Sequence, residues 1–488
     1  MIDSNVVNVA LPVIMSDFHS SLSDVQWILS GYLLALAAIL VSSAYFSKRF
    51  GAGRVYFLSL IGFTGASALC ALAPSLGFLI GARVLQGAVG ALLVPLAMDM
   101  LLGREGAARS ISPVFGIVLF LAPALGPTVG GFLIAIAGWP AIFLINVPIG
   151  IVSAVLVSRS LSVLPVRSNK PPRFDVVGSL VLADGLVLTL YGASEGPLVG
   201  WLSSESWPYW TSGPVLLVVY ALWAIRRADP AVSLKLLRHR QTALALAVTS
   251  VAAVVLFAVL FLIPVFMEEI QGVSAMITGL ALLPQGVVTG VGTLLGEKLS
   301  RTWKTRPISF VGMSTLTGTT ALLLTVDIHT PFWLIATILS GRGLALGLTI
   351  QPLLYATIGN LTGGEVPDGN TLFNVLERLG GSVGISLLAT FFQLSEQNYV
   401  SAVLSQNGIS IQGSGSGLTS SVLSSLPASL VSQLAGAAVH GFHDTVLLLT
   451  LLSLLGVLMS LGLRGRPVPA RSDGWSEKKV REDRVGVL

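Results

Sequence analysis

The chain has 488 residues, 53% of them hydrophobic and only 10% charged, with a mean hydropathy of +0.84. A soluble globular chain carries about 25% charged residues, so this composition excludes a soluble domain and points to a protein that crosses the membrane many times. The formal charge of +5 hints at nucleic acid, but the placement of the cations argues against that partner, and the single Cys70 excludes an intrachain disulfide or a metal–cysteine site.

A helix needs roughly 20 apolar residues to cross the hydrocarbon core. Fourteen stretches qualify. The first seven lie near 2–18, 26–46, 55–74, 78–102, 111–136, 141–158 and 175–195. The others lie near 209–225 (the weakest), 243–266, 276–296, 307–326, 331–354, 370–393 and 442–463. The first is anomalous: "IDSNVVNVALPVIMSDF" gives at most about 18 residues, roughly 27 Å of helix, and holds Asp3, Asn5 and Asn8. We expect the natural chain to begin upstream and to supply the missing first turns; an intact mass matching a Met1 start would overturn this. No cleavable signal peptide is visible, and none is needed where the first helix is itself the insertion signal.

The cations test the span assignment. Of 28 Lys and Arg, three fall inside spans: Arg83, Arg342 and Arg378. The other 25 fall in the even-numbered connections or the tail, among them Lys48, Arg49, Arg54, Arg104, Arg109, Lys298, Arg301, Lys304 and Arg306. The odd-numbered connections hold none, the long stretch 394–441 included. Under the positive-inside rule both termini are cytoplasmic and the helix count is even. The basic balance therefore reflects orientation, and no nucleic-acid partner is expected.

Between the last two spans, "SQNGISIQGSGSGLTSSVLSS" reads as a flexible external loop with room for a short interfacial helix. The tail after residue 464 is charged and reads as disordered. "WLSSESWPYW" sets Trp201, Trp207, Tyr209 and Trp210 at an outer interface, the pattern of an aromatic belt.

The two ends of the chain echo each other. "SKRFGAGRV" and "SRTWKTRPI" are short basic links between spans. "GARVLQGAVGALLVPLA" is echoed by "SGRGLALGLTIQPLLYA", and the two pairs are offset by about 253 and 259 residues. Six helices, two inserted helices and six more account for fourteen, and parallel repeats of this kind are a common transporter plan. The expected division is 1–160 for the first bundle, 161–240 for the inserted helices and their flanking loops, 241–464 for the second bundle and 465–488 for a cytoplasmic tail.

With these motifs in place, the chain resembles the 14-helix drug:proton antiporters of the major facilitator superfamily over nearly its full length. "IDSNVVNVALP" is similar to that family's first-helix motif, matching at Asp3, Asn8 and Pro12. "RVLQG" with Gly90 and Pro95 is similar to its fourth-helix motif, and "LGPTVGG" to its fifth-helix antiporter motif. "FLINVPIG" resembles the start of helix six, and "NVLERLGGSVG" an element of helix thirteen. The resemblance implies an all-α membrane fold of two six-helix bundles plus two extra helices. Two departures stand out: Lys48 occupies the place of the family's loop acid before Arg49, and Arg301 the corresponding place in the second half. A cation there would meet the positive end of a helix dipole, which puts the usual latch between the halves in question.

An ionisable group at lipid depth costs at least about 2.5–3.5 kcal/mol on insertion scales, so each one needs a reason. A carboxylate such as Asp3 in a low-dielectric cavity binds and releases a proton near neutral pH; alternatively it lies at the interface of a short helix. Arg83, with Gln86 and Gly87 on the next turn, is implicated by resemblance in proton coupling; its other reading is a structural arginine bracing helices. Asp99 near the cytoplasmic end of helix four reads as an edge charge paired with Arg49 or Arg54 across the Gly51 loop. By resemblance this pairing would be part of the latch. Asp184 lies mid-span in an inserted helix and reads either as a coupling acid or as peripheral. Glu377 and Arg378 are adjacent and so point in different directions; by resemblance Arg378 aligns with a polar family position and is a candidate for proton coupling or substrate, with Glu377 toward the cytoplasmic half. Arg342, in the fourth helix of the second half, is a candidate coupling or latch residue. Gly126 and Gly130 share a helix face, which with Gly131 permits close packing, while Pro127 bends the helix. The expected partner is a helix of the other half, closing one side of a cavity.

No P-loop is present, so ATP does not drive this chain directly, and nothing suggests an enzyme. The five His have no metal spacing inside a span. The expectation is a multi-pass exporter of the plasma (inner) membrane, a monomer without cofactor, moving small amphipathic drugs or secondary metabolites against protons by alternating access. The alternatives are a same-fold carrier of a siderophore, sugar or other metabolite, and a membrane sensor that no longer transports.

Overall fold

The computed structural model describes residues 2–20, 22–103, 130–160, 174–227, 229–359, 361, 365–407 and 427–464. Apolar side chains line nearly every segment, and lipid offers no partner to a bare peptide group, so the chain satisfies its backbone within helices. The first half comprises α1 (Ile2–Phe18), α2 (Leu22–Leu40), α3 (Ser43–Phe50), α4 (Ala52–Ala71), α5 (Leu76–Gly90) and α6 (Leu93–Gly103). It continues with α7 (130–137), α8 (Ala141–Leu144) and α9 (Asn146–Ser160). The inserted pair is α10 (Val176–Val199) and α11 (Trp207–Arg226). The second half comprises α12 (Arg240–Val265), α13 (Ala275–Thr302), α14 (Thr305–Leu322), α15 (Phe332–Ile358), α16 (Val366–Gln406) and α17 (Ala428–Ser460).

Eleven of the described helical stretches are long and apolar enough to cross a membrane, and twelve when the bent pair α2–α3 counts as one. Of the two remaining expected spans, α1 has 17 residues, and 111–136 lies mostly outside the described residues. Two spans are broken for identifiable reasons. The α2–α3 bend of 51° falls at the Ser42–Ser43 pair, a common site of kinking. Helix four interrupts at Ala91 and Leu92 because Pro95 has no N–H to offer the carbonyl one turn back.

The halves repeat one another. α2 packs on α5 as α13 packs on α15, α4 on α5 as α14 on α15, and α4 on α9 as α14 on α17. α10 and α11 pair closely, because Gly192 and Gly213 leave room for the backbones of Trp210 and Thr189. Of the two, α10 leans on α2 and α16. The largest apolar cluster runs from Leu36 and Leu40 of α2 and Met98 of α6, through Leu182 and Leu186 of α10, into the second half. A second cluster joins α1, α2, α4, α5 and α8 through Val6, Ile28, Leu79 and Phe143.

The connection expected to be flexible over 394–441 is largely helical where it is described. α16 is 41 residues long, about 60 Å against a hydrocarbon core of about 30 Å, and α17 begins at Ala428. Leu404, Leu430 and Leu434 bury one another against Val400 and Val403, and Ser395 Oγ donates to Asp444 Oδ2 at 2.9 Å. Those leucines recur at helical spacing, a signal that the Ser- and Gly-rich composition obscures. Residues 408–426 of that stretch lie outside the described residues.

Candidate functional site

Among the described residues of the first half, Arg83 is the most deeply placed charge, with no exposed surface. It projects from α5, whose first turn is capped by Ser75 accepting from the Phe78 N–H at 3.3 Å. Its Nη1 donates to Gln86 Oε1 at 2.7 Å and its Nε to the Ile28 carbonyl of α2 at 3.3 Å. The guanidinium lies 4.2 Å from the Tyr32 ring centre and 5.5 Å from that of Phe143, so aromatic faces replace part of its lost hydration. Gln86 Nε2 donates onward to Ser67 Oγ of α4 at 2.7 Å, and Cys70 Sγ lies 3.7 Å from Gln86 Oε1. One cation thus ties α2, α4, α5 and α8 together. A fixed positive charge in such surroundings favours the ionised form of an acid brought beside it. Asp3 is carried by α1, but its side chain lies outside the described residues.

Arg342 of α15 repeats the device in the second half. It too has no exposed surface, and it donates to the Thr320 hydroxyl of α14 and to the Val255 carbonyl of α12, the latter at 3.1 Å. Each arginine sits in the fourth helix of its half and reaches the third, one through Gln86 and the other directly.

The halves meet through side chains at the end where the cations cluster. Lys48 Nζ of α3 lies 2.7 Å from Asp368 Oδ2, in the first turn of α16. Both are shielded, at 27% and 10% side-chain exposure. Asn370 Nδ2 donates to Asp99 Oδ1 and to the Pro95 carbonyl, each at 3.0 Å. The hydroxyls of Ser43 and Thr371 are 2.8 Å apart.

This arrangement corrects two expectations. Lys48 does not face a bare helix dipole, because the Asp368 carboxylate meets its ammonium group. That acid gains from the same dipole at the start of its helix. Asp99 is met by Asn370 of the other half. The expected partners Arg49 and Arg54 are exposed, and Arg49 stacks over Phe50 at 5.9 Å. Gly51 serves as the corner between α3 and α4, with a φ of 85° that a side chain would strain. The Arg301 side chain lies outside the described residues. Asp368 and Asn370 escaped the sequence reading; the available signal was "EVPDGN", a Pro-started helix with an acid in its first turn.

The remaining candidates scatter. Gly126 and Pro127 lie outside the described residues. Gly130 is buried against α1, where an added Cβ would sit 2.9 Å from Val6 Cγ1, so its described neighbour belongs to its own half and not to the opposite one. Gly131 is half-buried with open space at its Cβ. Glu377 and Arg378 are half-buried on α16, with Glu377 one turn before Gly381, which packs on Phe257 of α12. Asp184 is exposed on α10 and joins neither arginine network.

Two helical bundles with repeated pairing, a buried arginine in each and polar contacts at one end form the architecture of a polytopic membrane transporter. Residues 1–385 match the model of the Major Facilitator Superfamily, and the chain belongs to that family. It is 31% identical over 407 residues to the methylenomycin A resistance protein of Bacillus subtilis, covering 82% of this chain and 86% of that protein. It is 30% identical over 395 residues to a multidrug resistance protein B homologue of Mycobacterium tuberculosis, covering 80% and 73%. It is 28% identical to the tetracenomycin C resistance and export protein of Streptomyces glaucescens, covering 79% and 72%. The fold also matches the solved proton:xylose symporter XylE, with TM-score 0.54 at 12% identity, covering 96% of this chain and 94% of that one.

Proposed function

We propose that this protein is a proton-coupled exporter of amphipathic drugs or secondary metabolites, working by alternating access in the plasma membrane with its basic face in the cytoplasm. The observation that carries this reading is the one-sided closure of the two halves. Every hydrogen bond between described residues of the two six-helix halves lies at the basic end: Lys48–Asp368, Asn370–Asp99, Asn370–Pro95 and Ser43–Thr371. A set of contacts confined to one end acts as a latch that must break for the halves to rock the other way. Relatives that confer resistance to, or export, antibiotics support the direction and the cargo class. Arg83 supplies the fixed charge that returns a nearby acid to its ionised form, so that protons and substrate exchange in turn.

The test is drug uptake into inside-out vesicles carrying the purified protein, using several chemically diverse lipophilic drugs. Drug accumulation should require an imposed pH gradient and should stop on its collapse or in Arg83→Ala. Accumulation that ignores the gradient would overturn antiport. Equal drug susceptibility in cells with the protein, without it and with Arg83→Ala would overturn export itself and favour the sensor reading.

A further inference from the structure

Rocking of the two six-helix halves leaves the inserted pair α10–α11 without a task, yet the pair is braced at both ends. At the inner end the Trp223 indole N–H donates to Oδ2 of Asp175, the cap of α10, at 3.1 Å. At the outer end the Trp210 indole N–H donates to the Trp201 carbonyl at 2.6 Å, and the two rings meet edge-on at 5.6 Å. Between these points Gly192 and Gly213 let the helices approach closely. The pair is therefore a single unit. It lies across a seam: α10 packs on α2 of the first half and on α16 of the second, and each contact is larger than the direct contact of α2 with α16.

The two attachments differ in kind. Toward the second half, the Trp201 indole N–H donates to Thr390 Oγ1 of α16 at 2.8 Å, and that hydroxyl donates in turn to the Ser386 carbonyl at 3.0 Å. The Trp201 ring is itself seated on Gly196, where an added Cβ would lie 2.7 Å from it. Toward the first half, the attachments are ring pairs. Tyr191 stacks on Trp27 of α2 at 5.9 Å and 24°, and Phe174, just before α10, meets Tyr45 of α3 at 4.6 Å and 45°. A hydrogen bond from a seated donor fixes both distance and direction. Ring pairs hold over centroid separations of roughly 4.5–7 Å, so they tolerate the small sliding steps of packed helices.

Lys48–Asp368 and Asn370–Asp99 join the halves at the basic end; toward the cation-free end the inserted pair supplies a link to each half. We propose that α10 and α11 form a strap over the α2–α16 seam, carried by the second half through Trp201 and sliding on the first half at its ring pairs. As the outer ends part and close, the strap keeps this seam covered and limits their separation. Its motion rests on the alternating-access reading, though its attachment to α16 does not.

The experiment measures distances between pairs of spin labels on the full chain in lipid nanodiscs, at acidic and alkaline pH and with tetraphenylphosphonium added. Labels go on the strap at Ser204→Cys, on the outer end of the first half at Leu72→Cys and on α16 at Asn398→Cys, all exposed positions. The strap-to-α16 distance should stay single and unchanged. The strap-to-first-half and half-to-half distances should shift together between conditions. Trp201→Phe keeps the ring on Gly196 but removes the N–H, and Thr390→Val removes the acceptor from the other side. Each should broaden the strap-to-α16 distance, a readout that does not need transport to survive. A strap that stays at a fixed distance from the first half while the halves move would overturn the proposal. So would a strap-to-α16 distance that stays sharp in both variants. Either result leaves alternating access standing. If no distance changes under any condition, alternating access falls and the sliding strap with it.

Discussion

Among the described residues, an amide oxygen, a carbonyl and two aromatic faces meet Arg83 and replace water around it. A lysine carries the same charge but cannot offer a flat cation to Tyr32 while donating in two fixed directions. We therefore expect Arg83→Lys to lose vesicle efflux nearly as completely as Arg83→Ala, with the protein still folded by its melting profile. Gln86→Ala removes the acceptor and the bridge to Ser67, and losing a hydrogen bond to a buried charge costs about 2 kcal/mol. A clear drop in the melting temperature of detergent-solubilised protein would register that cost. Gly87 lies so close to the Tyr32 carbonyl that no Cβ fits. Gly87→Val should cost about 1–3 kcal/mol by overpacking, read as poor recovery of folded protein. The importance of Arg83 was legible in the sequence, because a charge inside an apolar run has to be explained. Gln86 beside it was legible too; its distant partners were not, since Ile28 and Phe143 are 55 and 60 positions away and carry no polar signal.

Element geometry decides the latch. Lys48 lies in the last turn of the short helix beyond the bend, and Asp368 in the first turn of α16. Both positions depend on where helices break, which sequence patterns place only within a few residues. Lys48→Asp would gather three acids, with Asp99 and Asp368, and should loosen closure of the basic end. Asp368→Lys should do the same by opposing two cations and by setting a cation at a helix N-terminus. The double exchange should recover part of the lost efflux. We expect a coupling energy above about 1 kcal/mol in the resulting cycle, as for close charge pairs across interfaces. Purely additive losses would show that the contact does not gate transport. The recovery should be incomplete, because the dipole term is not restored by swapping.

At the scale of the whole molecule, sidedness makes the most direct prediction. Cys70 is buried, so single cysteines introduced elsewhere report access cleanly. Ser204→Cys, in an exposed connection of the cation-free side, should react with a membrane-impermeant maleimide in intact cells. Lys304→Cys, exposed on the basic side, should react only after lysis. The reverse pattern would overturn the orientation and with it the direction of transport. Where the hairpin of α16 and α17 extends past the hydrocarbon depth, the same labelling should reach Ser401→Cys from outside.

Composition, the spacing of apolar runs and the one-sided placement of cations determined the membrane class, the two-halves plan and the expected sidedness. These are additive properties of local sequence: twenty apolar residues insert wherever they occur, and basic loops resist translocation. Only the tertiary structure decided which charges meet. Asp368 answers Lys48 across 320 positions, Asn370 rather than an arginine answers Asp99, and Asp184 turns outward. Each of these depends on helix rotation and on where a helix bends, quantities fixed by packing between helices, to which no single segment holds the key.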